Sequence, residues 1–278
     1  MIQISISNIA WDTTDDVLVS GILASLDVHH IDIAPGKYFP NPEEASDADI
    51  AAVRMSWEER GFALAGFQSL LFGTQGLNVF GSEEVQERML ERLCHICRIA
   101  AGLGAKRLVF GSPKNRDRTG LTDEQTMDMA RDFFTRLGDI AQKFGVVVCL
   151  EPNPKAYGAN FLTNTMDACD FVVKLDHPGI RMQLDTGAMF MNNESPETIE
   201  QVRDWIGHIH ISEPQLAPLG ESGVSHAQIG ESFKKAMGQT SSIVTIEMLI
   251  PKGDGADRTS LIEKAIVQAV GLVRRNYL

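Results

Sequence analysis

The chain has 278 residues, 44% hydrophobic and 22% charged, with a formal net charge of −12. That length can bury a large core, and a single α/β barrel typically takes about 250 residues. The acidic balance argues against a phosphate-backbone binder, which needs a basic face, so no nucleic-acid partner is expected.

Ile2 to Ile6 reads as the first strand. Thr13 and Asp16 have the spacing of a capping box and open a helix to about Leu26. His29 to Ala34 (HHIDIA) is the second strand. A helix from Glu43 to Arg60 stops at Gly61, and Phe62 to Gln68 is the third strand. After a loop with Gly73, Gly76 and Gly81, Ser82 caps a helix that ends near Gly102 or Gly104. Val85, Met89, Leu93, Cys97 and Ala100 form the buried stripe of that helix, so the C-x-x-C of Cys94 and Cys97 reads as packing. Arg107 to Phe110 is the fourth strand, followed by the loop GSPKNRDRTG. Thr122 and Gln125 form another capping box, opening a helix with Phe133, Phe134, Leu137 and Ala141 on one face.

Four strand-like runs follow: VVVCLE (Val146 to Glu151), IRMQLD (Ile180 to Asp185), IGHIHI (Ile206 to Ile211) and IVTIE (Ile243 to Glu247). A helix from Thr163 to Leu175 separates the first two and stops before Pro178. TGAMFMNNE reads as a loop, and Ser195 with Pro196 as an N-cap and first-turn pair. His226 to Met237 and Arg258 to Arg275 are the last helices. Eight strand–helix pairs without a linker or composition shift predict one domain, residues 1–278, folded as a single (β/α)8 TIM barrel. The N-terminus MIQISISNIAWDTTDD shows no leader pattern and no run is long enough to span a membrane. A cytoplasmic protein with reduced cysteines and no membrane partner is expected.

Active sites of such barrels lie at the C-terminal ends of the strands. Glu151, Asp185, His210 and Glu247 end four successive strands, and they are predicted to hold one divalent metal ion. Three carboxylates and one imidazole suit Mn, Mg or Co, with Zn also admissible. Side-chain alternation turns His208 and His210 into the barrel, with His208 a layer deeper as a hydrogen-bonded group. Glu151 and Glu247 come from opposite sides of the barrel and are the predicted proton-transfer pair, taking a proton from one face of a metal-held substrate and returning it to the other. Gln68, Lys114, Asn153, Asn160, Glu213 and His226 are loop candidates for substrate contact. Lys114 is the most suggestive of them, as an ammonium that can hold an anionic group. Arg116 and Arg118 read as solvated, and Trp11, Phe72 and Phe80 as possible pocket walls.

LEPN (Leu150 to Asn153), LDTG (Leu184 to Gly187), HIHISE (His208 to Glu213) and TIEM (Thr245 to Met248) resemble the metal motifs of the ketose 3-epimerases, within the xylose isomerase-like TIM barrels. The resemblance implies Glu151, Asp185, His210 and Glu247 as metal ligands, Glu151 and Glu247 as the proton-transfer pair, a carbohydrate-like small-molecule substrate, and a homo-oligomer. The chain departs from the pattern at Ala188, Leu216 and Tyr157, where those epimerases carry histidine, arginine and glutamate that hold substrate. The expected activity is a metal-dependent sugar isomerase or epimerase. The alternatives are a dehydratase of the inosose dehydratase type and a non-catalytic barrel subunit.

Overall fold

The computed structural model describes residues 2–238, 240, 242–252 and 255–278. Eight parallel strands close into a barrel in sequence order: β1 Gln3–Ser7, β2 His30–Ile33, β3 Ala63–Phe67, β4 Arg107–Phe110, β5 Val147–Leu150, β6 Ile180–Asp185, β7 Ile206–Ile211 and β8 Ile243–Ile246. The helices around it are α1 Asp16–Ser25, α2 Asp47–Glu58, α3 Glu83–Leu103, α4 Asp123–Lys143, α5 Thr165–Leu175, α6 Thr186–Asn192, α7 Thr198–Val202, α8 Ala227–Met237 and α9 Gly255–Tyr277. No helix of the described residues is long and apolar enough to cross a membrane.

Local chemistry accounts for most element boundaries. The Thr122 hydroxyl accepts from the Gln125 N–H at 3.2 Å and the Gln125 side chain accepts from the Thr122 N–H at 3.0 Å, so the expected capping box starts α4. Ser46 and Asp49 make the same reciprocal pair at α2. That cap starts α2 at Asp47 rather than at the expected Glu43, and two further expected starts are overturned. Asp16 takes no part in a capping box with Thr13, because its carboxylate accepts from Trp11 Nε1 at 2.8 Å and from the Tyr38 hydroxyl at 2.7 Å. Ser195 and Pro196 form a turn ahead of α7, and the helix they were expected to open begins at Thr198. The stretch after β6, read as a loop, is the short helix α6, because Asp185 caps it.

Between the helices and the barrel the packing is apolar and aromatic. Phe134 of α4 stacks edge-on against Phe110 of β4, Phe133 and Phe171, with ring centroids 5.4, 5.4 and 5.5 Å apart. The barrel's interior is different. TIM-barrel interiors are dominated by branched apolar residues. Here Ser5, Asp32, Gln183, His208 and Thr245 are buried there. Polar groups at that depth are kept only where each finds a partner, so this column points to the mouth above it.

Truncating Phe134 to Ala removes the ring that joins these three neighbours and is expected to cost about 3–5 kcal/mol. Urea unfolding measures this, and an unchanged midpoint would show that the aromatic cluster does not hold α4 to the barrel.

Candidate metal centre

Glu151 and Glu247 each follow the last residue of their strand, Asp185 ends β6, and His210 lies one residue before the end of β7. The barrel brings one donor atom from each to within 4.8 Å of all the others. His210 Nδ1 lies 3.3 Å from Glu247 Oε2 and 3.6 Å from Glu151 Oε1. Each glutamate is steadied by an amide on its other oxygen. Gln68 donates to Glu247 Oε1 at 2.7 Å, and Asn153 donates to Glu151 Oε2 at 3.1 Å. Asp185 does two jobs. Its Oδ1 accepts from the Ala188 N–H at 2.6 Å and caps α6, while Oδ2 accepts from Ser212 Oγ at 2.7 Å. Each oxygen keeps a second lone pair for a ligand.

Such a cluster has a charge problem. Burial, then the charges of Glu151 and Glu247, push the Asp185 carboxyl up to about 7. Burial alone would lower the His210 imidazole; the Glu247 charge and the contacts with Asp32, Glu151 and Glu247 outweigh it and raise it well above its usual range. Among the described residues no Lys or Arg side chain bonds any of these carboxylate oxygens. The donor set therefore fits a divalent cation, which would supply the missing positive charge.

Beneath His210 lies Asp32, fully buried at the end of β2's polar face. Its Oδ2 meets His208 Nε2 at 2.5 Å and lies 3.8 Å from His210 Nε2, while Oδ1 accepts from Ser5 Oγ at 3.1 Å. Burial would raise the Asp32 carboxyl, but the adjacent His208 and His210 hold it far below the usual carboxylate range. An ionised Asp32 faces Nε2 of His210 and so favours a proton there, leaving Nδ1 directed at the carboxylates. Glycine makes this fit. A Cβ on Gly66 of β3 would sit 2.6 Å from Asp32 Oδ2, and one on Gly111 would overlap the Glu151 carboxylate.

Two cavities meet the cluster. One of about 200 Å³ lies between the β3 and β4 loops, lined by Gln68, Phe72, Val109 and Gly111. The other, of about 500 Å³, is walled by Pro113, Pro152, Tyr157, Ala188, Glu213 and Leu216. Glu151 and Glu247 line both.

The loop candidates divide accordingly. Gln68 and Asn153 are at the cluster, and Phe72 walls the smaller cavity. Lys114 is exposed and lines neither cavity, because the loop turns Pro113 inward in its place. Asn160 is spent on the β4 loop, accepting from the Arg118 N–H and donating to Asp117. Glu213 lines the larger cavity, yet its carboxylate accepts from the Ser222 and Gly220 N–H groups and from His226, whose other nitrogen meets the Tyr277 hydroxyl at 2.6 Å. Glu213 and His226 thus hold a loop closed. Trp11 and Phe80 line neither cavity; Phe80 packs on Phe161. Arg116 is the largest correction. Rather than solvated, it is 1% exposed, its Nη2 donates to the Glu151 carbonyl at 2.6 Å, and its Nε and Nη1 have no hydrogen-bond partner among the described residues. Burial, partly offset by Glu151, lowers the guanidinium to about 10. Nothing in the spacing of GSPKNR separates a buried arginine from an exposed one. Asp32 did carry a signal, since the alternation of HHIDIA turns it inward with His30.

The family model described as xylose isomerase-like TIM barrel matches residues 22–259. D-psicose 3-epimerase of Ruminiclostridium cellulolyticum is 28% identical over 123 residues, and the match spans 44% of this chain and only 40% of that curated relative. A solved D-psicose 3-epimerase from Clostridium cellulolyticum H10, with D-tagatose, superposes with a TM-score of 0.79 at 17% identity over 99% of each chain. The 3-keto-D-glucoside 4-epimerase YcjR from E. coli gives 0.73 at 17% identity over 97% of this chain and 99% of that one. An IolI protein with a bound zinc atom gives 0.68 at 15% identity over 97% and 98%. At these identities the solved structures share the fold.

Two outcomes are expected. Asp185 in the folded, metal-free protein keeps a proton between 3.8 and about 7 that the unfolded chain has released, and the raised His210 adds to the same excess. More protons bound folded than unfolded means stability falls as pH rises. In EDTA, the Tm contribution of this cluster should drop between about pH 4 and about pH 7, with the raised His210 extending the drop upward, and saturating Mn should flatten it. A cluster-dependent rise instead, judged against Asp185→Asn, would contradict the charge assignment. Replacing Asp32 by Asn should weaken Mn binding by about 10–100-fold in calorimetric titration.

Proposed function

The chain belongs to the xylose isomerase-like TIM barrel family, and we propose that it is a divalent-metal-dependent isomerase or epimerase of a sugar-like keto compound. The observation that carries this reading is the convergence of Glu151, Asp185, His210 and Glu247 within 4.8 Å at the C-terminal mouth of the barrel. These four residues would hold the ion, with Mn, Mg or Co suited to the oxygen-rich set and Zn as the alternative. The names of the similar proteins, a D-psicose 3-epimerase and a 3-keto-D-glucoside 4-epimerase, support epimerisation of a keto sugar.

When bound, the ion supplies Lewis-acid polarisation of a substrate oxygen, which makes the neighbouring C–H more acidic. The chain's own groups move the proton. One of Glu151 and Glu247 accepts it from carbon on one face, becoming a neutral carboxylic acid. The other, entering protonated, gives its proton to the opposite face, so the configuration inverts and the pair's total proton count is unchanged. Gln68 and Asn153 fix one oxygen of each glutamate, which limits rotation and keeps the other oxygen toward the centre. Two cavities sharing both glutamates give a substrate room to extend on either side of them.

Substrate choice is set apart from the known ketose epimerases by the larger cavity. All three positions where the sequence departs from their pattern, Tyr157, Ala188 and Leu216, line it. The Tyr157 hydroxyl accepts from the Gln215 N–H at 2.7 Å, so it is engaged with the loop. This wall offers a sugar fewer polar contacts, which favours a substrate other than a free ketohexose.

With Mn and a panel of keto sugars in D2O, the expected product carries deuterium at the inverted carbon and is otherwise unchanged in mass. Glu151→Gln should lower turnover by about 10²–10⁴-fold while the Tm is kept. A product lighter by one water would move the reading to a dehydratase, and unchanged turnover in Glu151→Gln would remove the proton-transfer role.

A further inference from the structure

The opposite end of the barrel holds a cavity that the metal chemistry does not use. It opens at the N-terminal mouth, among the starts of β2, β3, β4, β7 and β8, and has a volume of about 600 Å³. That lies within the range of about 300–1,000 Å³ typical of small-molecule sites. Lys106 and Arg107 line it from the start of β4, Arg203 from the turn before β7, and His30 from the start of β2. His208, 4% exposed, closes it from within the barrel.

The charge pattern sets this cavity apart. Among its described lining residues there is no aspartate or glutamate, in a chain whose net charge is −12. Among the described residues, neither Lys106 nor Arg107 forms an ion pair, and Arg203 meets only its sequence neighbour Asp204, at 3.5 Å. Strand alternation places Arg107 on the face of Val109, which lines the smaller upper cavity, so the Arg107 side chain leaves β4 on the barrel's inner face. Lys106 and Arg203 are exposed at the rim and Arg107 is half-buried within, so the cavity's lining carries positive charge from both its edge and its interior. The N-terminal face of a TIM barrel ordinarily serves stability, yet no carboxylate among the described lining residues is there to pair with these cations. An oxyanion entering the cavity would supply the missing negative charge, and a guanidinium with two ammonium- or guanidinium-type neighbours matches the three terminal oxygens of a phosphate better than the two of a carboxylate.

We infer that this basal cavity binds a phosphate-bearing small molecule, with Arg107 and Lys106 gripping the phosphate and Arg203 closing the cavity's edge. The inference does not depend on the metal centre, since no residue of the four-donor set lines the basal cavity.

The test titrates inorganic phosphate into the purified full-length protein and follows Tm, with NaCl at matched ionic strength as the reference and sodium citrate as the carboxylate probe. The expected result is a saturable rise with phosphate that exceeds both, and that persists in EDTA. Lys106→Gln and Arg107→Gln should each raise the half-saturating phosphate concentration at least about tenfold, on the scale of one lost charge-assisted contact. Lys106 is exposed, so its variant is expected to fold, which its Tm in NaCl alone checks. The inference is overturned if NaCl or citrate matches phosphate, if EDTA abolishes the response and so places it at the metal centre, or if Lys106→Gln responds as the unaltered protein does.

Discussion

Three carboxyl groups are forced together around one buried imidazole at the C-terminal mouth, and the surrounding structure is shaped by the electrostatic cost of that arrangement. Like charges at such spacing repel strongly away from bulk water. The cost is visible in Asp185, pushed up to about 7, and in His210, raised by its carboxylate neighbours. A divalent ion would offset both at once. The polar column underneath then has a reason: Asp32 places a negative charge 3.8 Å below His210, His208 and Ser5 satisfy Asp32, and Gly66 leaves the space that its carboxylate occupies.

Around this centre, several side chains act by holding others. Arg116 grips the backbone carbonyl of Glu151 from inside the protein. Ser212 ties the end of β7 to Asp185, and Asp185 in turn caps α6. Glu213, His226 and Tyr277 form a hydrogen-bonded chain that fastens the β7 loop to α9. The same residues that shape the mouth are thus the residues that join the last strands to the last helices. Opposed to the acidic mouth is a cationic one, and His208 lies between them, bonded to Asp32 above and lining the basal cavity below.

Much of this was legible in the chain. Strand lengths, the two-residue alternation of IGHIHI and the capping signals gave the eight strand–helix pairs, because hydrophobic periodicity and orphan N–H groups are local properties. The placement of Glu151, Asp185, His210 and Glu247 at strand ends followed from the same pattern. Where local signals competed, the reading failed. The capping box at Thr13 lost to Trp11 and Tyr38, which lie on other turns of the chain and claim Asp16. The loop after β6 is a helix because Asp185 caps it while also facing the mouth.

By itself the sequence determined the barrel, the direction of its strands and the four residues facing its mouth, since each depends on periodicity and chain order. Tertiary structure alone decided the rest. Whether Arg116 is buried or Lys114 lines the mouth, which imidazole lies over Asp32, and that Tyr157, Ala188 and Leu216 share one wall depend on contacts between residues far apart in the chain. Such contacts are fixed by packing and by the burial of charge, and neither is written in the spacing of residues along a strand.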